Sequence, residues 1–131
     1  MPLISKSGKL MSPMLIILQE TSHEFGPIVK ESLFTADNIS VLPTTSGKMT
    51  KDTLTKWYAD VFFPNCGQKA LLFIDSWNGH KDKEIMNRVK PEEVELELLI
   101  IPPGVTSICQ PLDVYGFRFI FFSNFLRTKI N

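Results

Sequence analysis

The sequence predicts an α/β fold, a mixed sheet with flanking helices, on three observations. Two uninterrupted apolar runs, Leu71-Leu72-Phe73-Ile74 and Leu98-Leu99-Ile100-Ile101, stop at turn residues: the first at Asp75-Ser76, the second at Pro102-Pro103-Gly104. Such runs read as strands buried on both faces, as in a parallel sheet. Before and between them, apolar residues recur at helical spacing, and strands alternating with helices build layered α/β domains.

The elements follow in chain order. Leu3-Ile4, a turn holding Gly8, and Leu10-Met11 read as the end of one strand and the start of the next. Pro13 leads into a strand over residues 14–18. Residues 20–49 contain Gly26-Pro27, Asp37-Asn38 and Thr44-Thr45-Ser46-Gly47, which predicts a long connection with few regular elements. Loops of that length are uncommon unless they serve a purpose.

Thr50 is the expected N-cap of the clearest helix, whose stripe is Leu54, Trp57, Tyr58, Val61 and Phe62, with Pro64 closing it. A polar turn over residues 65–69 then delivers the strand that ends at Asp75. Asp82 caps a short helix carrying Ile85, Met86 and Val89, which stops before Pro91. Val94, Leu96 and Leu98 alternate with Glu95 and Glu97, the pattern of a strand entering a sheet from its solvated end. In residues 113–129, Val114, Phe117, Ile120, Phe121, Phe125 and Leu126 favour a helix, although Phe119-Ile120-Phe121-Phe122 also suits a strand. No repeat or linker interrupts the chain, which reads as one unit over 1–131.

Composition narrows the function. The 44% hydrophobic and 21% charged shares are those of an ordinary globular protein. A formal net charge of +0 lacks the electrostatic footprint of a dedicated nucleic-acid binder. Cys66 and Cys109 form no C-x-x-C pair, so neither a zinc site nor a disulfide framework is implied, and free thiols suit a reducing compartment. No secretory signal is visible, and the apolar run over 11–18 contains Pro13 and is too short to span a membrane. Asn38-Ile39-Ser40 matches the glycosylation pattern without the signal peptide that would give it meaning.

The candidate chemistry lies in two aspartates. In open α/β sheets ligands bind beyond the carboxyl ends of the strands. Asp75 falls there directly, and Asp113 follows the loop after the next strand. A helix and a strand separate them, about the chain a crossover to a parallel neighbour needs, so both carboxylates can meet at one sheet edge. One or two carboxylates commonly hold Mg²⁺ together with waters and substrate phosphates. The plainer alternative stays open: Asp75 caps a turn and Asp113 a helix. His80 can bind metal, orient Asp75 or contact phosphate, and a lone histidine after a strand also serves as a turn-stabilising hydrogen-bonder.

Other motifs fail on their residues. His23-Glu24 opens like H-E-x-x-H, but Pro27 stands where the second histidine belongs. Ser46-Gly47-Lys48 echoes a phosphate loop, yet Leu42 replaces its first glycine and Met49 its hydroxyl residue. Ser76 and Ser107 lack the G-x-S-x-G context of a nucleophile. Trp57 and Tyr58 belong to the helix stripe and read as core. Lys81, Lys83, Arg88 and Lys90 are interspersed with the six acidic residues between Asp82 and Glu97, the pattern of a solvated face.

At LLFIDSWNGH and IPPGVTSICQPLDVYGFR the sequence resembles two signature blocks of the pogo/Tigger-type DDE transposases, the DDE superfamily endonuclease domain of the Tc1/mariner group. Gly8-Lys9-Leu10 and Ser46-Gly47-Lys48-Met49-Thr50 extend the resemblance through nearly the whole chain. The resemblance implies an RNase H-like fold and Mg²⁺-dependent cut-and-paste chemistry on DNA. It matches Asp75 to the second catalytic and metal-binding acid, Asp113 to the third, and His80 to a common motif residue that can stand behind them. The family's first acid lies on an opening strand ahead of the hairpin. Asp37, Asp52 and Asp60 come after the hairpin and cannot be carried onto that position.

The expectation is therefore an N-terminally truncated, partial DDE endonuclease domain over 1–131, RNase H-like but lacking the first strand, catalytically inactive, with residual binding of Mg²⁺ or Mn²⁺ and weak contact with DNA in the nucleus. Two alternatives compete. One is an active nuclease or transposase completed by another chain. The other is a domesticated interaction module whose aromatic residues 117–125 bind a protein partner or a second copy.

Overall fold

Strands β1 (Met14–Gln19) and β2 (Ile39–Thr44) pair in parallel, with Met14 opposite Ile39 and Gln19 opposite Thr44. The computed structural model describes residues 1–105, in two compact units: Met1–Ala70 with Asp82–Leu96, and Leu71–Lys81 with the residues from Glu97 on. The β1–β2 sheet belongs to the first.

Residues 20–49 depart from the expectation of little regular structure, for they hold β2 and helix α1 (Pro27–Ser32). Pro27 opens α1, where its missing amide goes unneeded and its fixed φ suits the first turn. Pro43 is what disguises β2 in the sequence. Met14 N donates to Asn38 O and Glu20 N to Thr44 O, so the even-numbered residues of β2 turn their backbone groups to β1. Pro43 faces the other way, where the lack of a donor breaks no ladder bond. The opening hairpin is also slighter than expected. It is a single antiparallel bridge, Ile4 to Leu10, turned at Gly8 with φ +85°.

The predicted helix begins where expected. Thr50 caps α2 (Lys51–Trp57) through a reciprocal box: Thr53 N donates to Thr50 Oγ1 at 3.2 Å and Thr50 N to Thr53 Oγ1 at 2.8 Å. It does not stop at Pro64. A π-helical turn (Tyr58–Phe62) leads into α3 (Phe63–Asn65), with Phe63 N donating to Tyr58 O. Pro64 has no amide for the Asp60 carbonyl, and its ring would crowd that carbonyl in a regular α turn; the wider turn relieves both problems.

The stripe forms the core of this unit. Leu54, Trp57, Tyr58, Val61, Phe62 and Phe63 are buried. Trp57 stacks on Phe62 at 5.8 Å between ring centroids and meets the edge of Tyr58 at 5.3 Å. Asn65 Nδ2 reaches Val61 O and Ser12 O, each at 2.7 Å, tying the helix end to the segment before β1.

Strands β3 (Lys69–Ile74) and β4 (Glu95–Ile100) make the second sheet. Glu95 N donates to Gln68 O and Ile101 N to Ile74 O, the same residue offset at either end, so the two run parallel. Helices α4 (Asn78–Lys81) and α5 (Lys83–Asn87) lie between them in the chain. Asp82 caps α5 as predicted, with Ile85 and Met86 buried on its inner face. Lys51 Nζ donates to Asp82 Oδ2 at 2.8 Å, and this bond holds the Asp82 carboxyl below the usual carboxylate range.

Three tests follow from this unit. Leu54→Ala should lower unfolding stability in urea by about 3 kcal/mol, through lost burial and the cavity left behind. Thr50→Ala, which removes only the cap, should cost about 1 kcal/mol. The Asp82 contribution should be fully present above the unfolded carboxylate pKa of about 3.9 and fade as pH falls through the lowered folded value. The stability difference between wild type and Lys51→Ala should accordingly vanish in acid, and the Asp82 carboxyl ¹³C titration should move upward in the variant.

Candidate functional site

The site is built on the second unit, where β3 closes. Leu72 and Ile74 point inward and are buried, whereas Leu71 and Phe73 are exposed, Phe73 at 61%. The expectation of a strand buried on both faces is thus corrected. Successive side chains alternate across the sheet, and among the described residues only one face of β3 is covered. The next residue, Asp75, leaves the strand at its carboxyl end. After β4 the chain turns through Pro102-Pro103-Gly104, with Gly104 at φ +87°, the left-handed region that glycine enters without strain.

Asp75 organises the turn that follows. Its Oδ1 accepts from Trp77 N at 3.1 Å, an Asx turn that bends the chain sharply off the sheet. His80 Nδ1 approaches the same oxygen at 2.7 Å and the Asp75 main-chain O at 3.2 Å. The carboxylate is partly open, 48% exposed at the side chain, whereas the imidazole is 5% exposed. No donor among the described residues reaches Oδ2. One carboxylate oxygen is held by the protein and the other is presented.

Trp77 and Gly79 complete the arrangement, and neither carries a periodic signal in the sequence. The Trp77 indole meets the His80 ring edge-on, centroids 5.0 Å apart at 83°. A Cβ on Gly79 would run into the Trp77 indole, so only a glycine lets the ring sit there. A glycine two residues after a tryptophan at a strand exit is the trace that this contact leaves in the sequence.

The structure therefore joins Asp75 to His80. Asp113, with the helix expected over 113–129, lies outside the described residues. Among the described residues, no group of three His, Cys, Asp or Glu side chains is placed to hold a metal ion. Cys66 offers no nucleophile: burial pushes its thiol up, and its Sγ donates to Phe63 O at 3.4 Å. Trp57 and Tyr58 are core, as expected.

A mixed α/β protein with a carboxylate at the carboxyl end of a parallel strand is a frame for chemistry at a sheet edge. Comparison with known proteins narrows this. Residues 4–118 match the DDE superfamily endonuclease family. A human protein, Pogo transposable element with KRAB domain, is 30% identical over 76 residues, which are 55% of this chain and 12% of that relative. No solved structure matches the chain. The chain belongs to the DDE superfamily endonucleases, as a domain of transposase origin, and the pogo-type resemblance read from its signature blocks is borne out. It spans only a small part of the human relative's length.

Replacing Gly79 tests how tightly this turn is packed. Gly79→Ala should expel the indole, red-shifting Trp77 emission and lowering stability by about 1–3 kcal/mol. Pairing it with Trp77→Ala should recover most of that loss, since the clash partner is gone.

Proposed function

We propose that this DDE-superfamily domain binds a divalent cation, Mg²⁺ or Mn²⁺, through Asp75 and Asp113, and makes weak contact with DNA without cutting it on its own. The observation that carries the reading is the Asp75 carboxylate, anchored at Oδ1 by Trp77 N and open at Oδ2 among the described residues. A hard oxygen ligand so presented fits Mg²⁺, which takes one or two carboxylates and completes its shell with water and phosphate oxygens. Asp113 enters by the family pattern as the second ligand. A cation held there would supply the polarisation that phosphodiester cleavage requires.

The chain's own residues do the rest. Asp75 holds the ion at the sheet edge, and the turn after it keeps that carboxylate facing outward. An RNase H-like sheet is part of the same proposal, supported by the parallel β3–β4 pair with helices between its strands and the acid at its carboxyl end. The non-cutting part rests on the family's use of three acids, because no third ligand joins Asp75 and His80 among the described residues. Weak DNA contact follows from the formal net charge of +0, which leaves few counterions to release. The nucleus is the compartment where such contact has a substrate. No helix of the described residues is long and apolar enough to cross a membrane.

Mn²⁺ titration followed by electron paramagnetic resonance should reveal a site that weakens at least about 10-fold in Asp75→Asn. A labelled DNA duplex should bind with a Kd of about 10⁻⁴–10⁻⁶ M near physiological salt, weakening as salt rises. Mg²⁺-dependent nicking that disappears in Asp75→Asn would overturn the non-cutting part in favour of a working nuclease. Wild-type protein that takes up no Mn²⁺ would overturn the cation site.

A further inference from the structure

We propose that the outer edge of β4 is a self-association surface, on which β4 of a second copy adds antiparallel across a two-fold axis. The inference is independent of any cation at Asp75.

Backbone direction decides which groups of β4 are free. Glu95 N and Ile101 N both donate into β3, so the odd-numbered residues turn their peptide groups to that neighbour. Leu98 and Ile100 turn theirs to the other side, which meets no strand among the described residues. Natural sheets blunt such an edge with proline or charge. On β2 that device is Pro43. In β4 the charges, Glu95 and Glu97, stand at the start, and Leu98, Leu99 and Ile100 follow with neither proline nor charge.

The side chains single out one register. Leu99 and Ile100 are each 41% exposed. In an antiparallel pair centred on Leu99, that residue faces its own counterpart, and Leu98 exchanges both N–H···O bonds with Ile100 of the other copy. Glu97 then lies opposite Ile101, which keeps the glutamates of the two copies apart. Pro102, with no amide to give, ends the ladder just beyond. A slip to a pair centred on Leu98 would instead set the exposed Leu99 against Glu97.

A second copy also fits this edge better than an unrelated peptide. The parallel register of β3 and β4 sets Phe73 beside Leu99 on one face, and Phe73 is 61% exposed. The two-fold joins Phe73 and Leu99 of one copy to Leu99 and Phe73 of the other in a single apolar row. A foreign strand would satisfy the backbone without completing that row. Because both copies use the same edge, the pairing closes at a dimer.

Sedimentation velocity over a concentration series reads the association in the full chain. A concentration-dependent dimer should appear, and Leu99→Lys, which sets like charges face to face, should weaken it at least about 10-fold. The thermal transition of the variant checks that it folds. Cross-linking reads the register, in a background where Cys66→Ser and Cys109→Ser remove the native thiols. Centred pairing puts the two position-99 Cα atoms about 4.5 Å apart, within disulfide reach, and the two position-97 atoms roughly 14 Å apart. Leu99→Cys should therefore oxidise to a covalent dimer and Glu97→Cys should not. In the wild-type protein, the Leu98 and Ile100 amides should gain protection from hydrogen exchange as concentration rises, a readout that needs no variant. A wild-type chain that stays monomeric at every concentration would overturn the proposal. So would a dimer as tight in Leu99→Lys as in wild type, Glu97→Cys cross-linking as readily as Leu99→Cys, or Leu98 and Ile100 amides whose exchange ignores concentration.

Discussion

Strands β3 and β4 run parallel, and that one arrangement determines where anything functional can stand. A parallel neighbour cannot be reached by a tight hairpin. The chain leaving β3 must turn off the sheet, travel back through α4 and α5, and only then enter β4. The departure point is Asp75. Its carboxylate shapes the exit by accepting from Trp77 N, and its main-chain O meets His80 Nδ1 after one short turn of helix. The plainer reading of Asp75 as a turn cap holds at Oδ1, while the ligand role proposed for it concerns Oδ2.

The first unit shows the same economy around a proline. Pro64 falls where a regular helix would need its amide, and the chain answers by widening one turn rather than ending. The wider turn carries Tyr58, Val61 and Phe62, three of the side chains that build the core. The aromatic cluster and the bulge therefore stand or fall together, because straightening the turn would rotate every residue beyond it on the helix face.

Much of this was legible in the residues. β1, the capped helix at Thr50, β3 up to Asp75, α5 behind Asp82 and β4 all carry local signals that agree with their tertiary setting: periodicity, caps and turn residues. What escaped had no local signal. β2 contains Pro43 and is made a strand by its pairing with β1, a contact made across some two dozen residues of chain. The one-sided burial of β3 depends on what covers each face, and an apolar run looks alike in either case. The site was legible as a place, the carboxyl end of a strand, and as a pair of residue types. The packing of Trp77 over Gly79 against His80 was not, because a three-body contact inside a short turn has no period to read. The family was legible in the two signature blocks, since they combine strand, turn and acid in fixed order.

Pro43 carries one more consequence. Among the described residues, the outer side of β2 is a row of backbone groups that a stray strand from another molecule would normally find inviting. Near its carboxyl end stands a ring with no hydrogen to give. An incoming strand would meet a hole in the ladder there, so intermolecular sheet growth is discouraged on that side. Any segment that lengthens this sheet productively must add next to β1 instead.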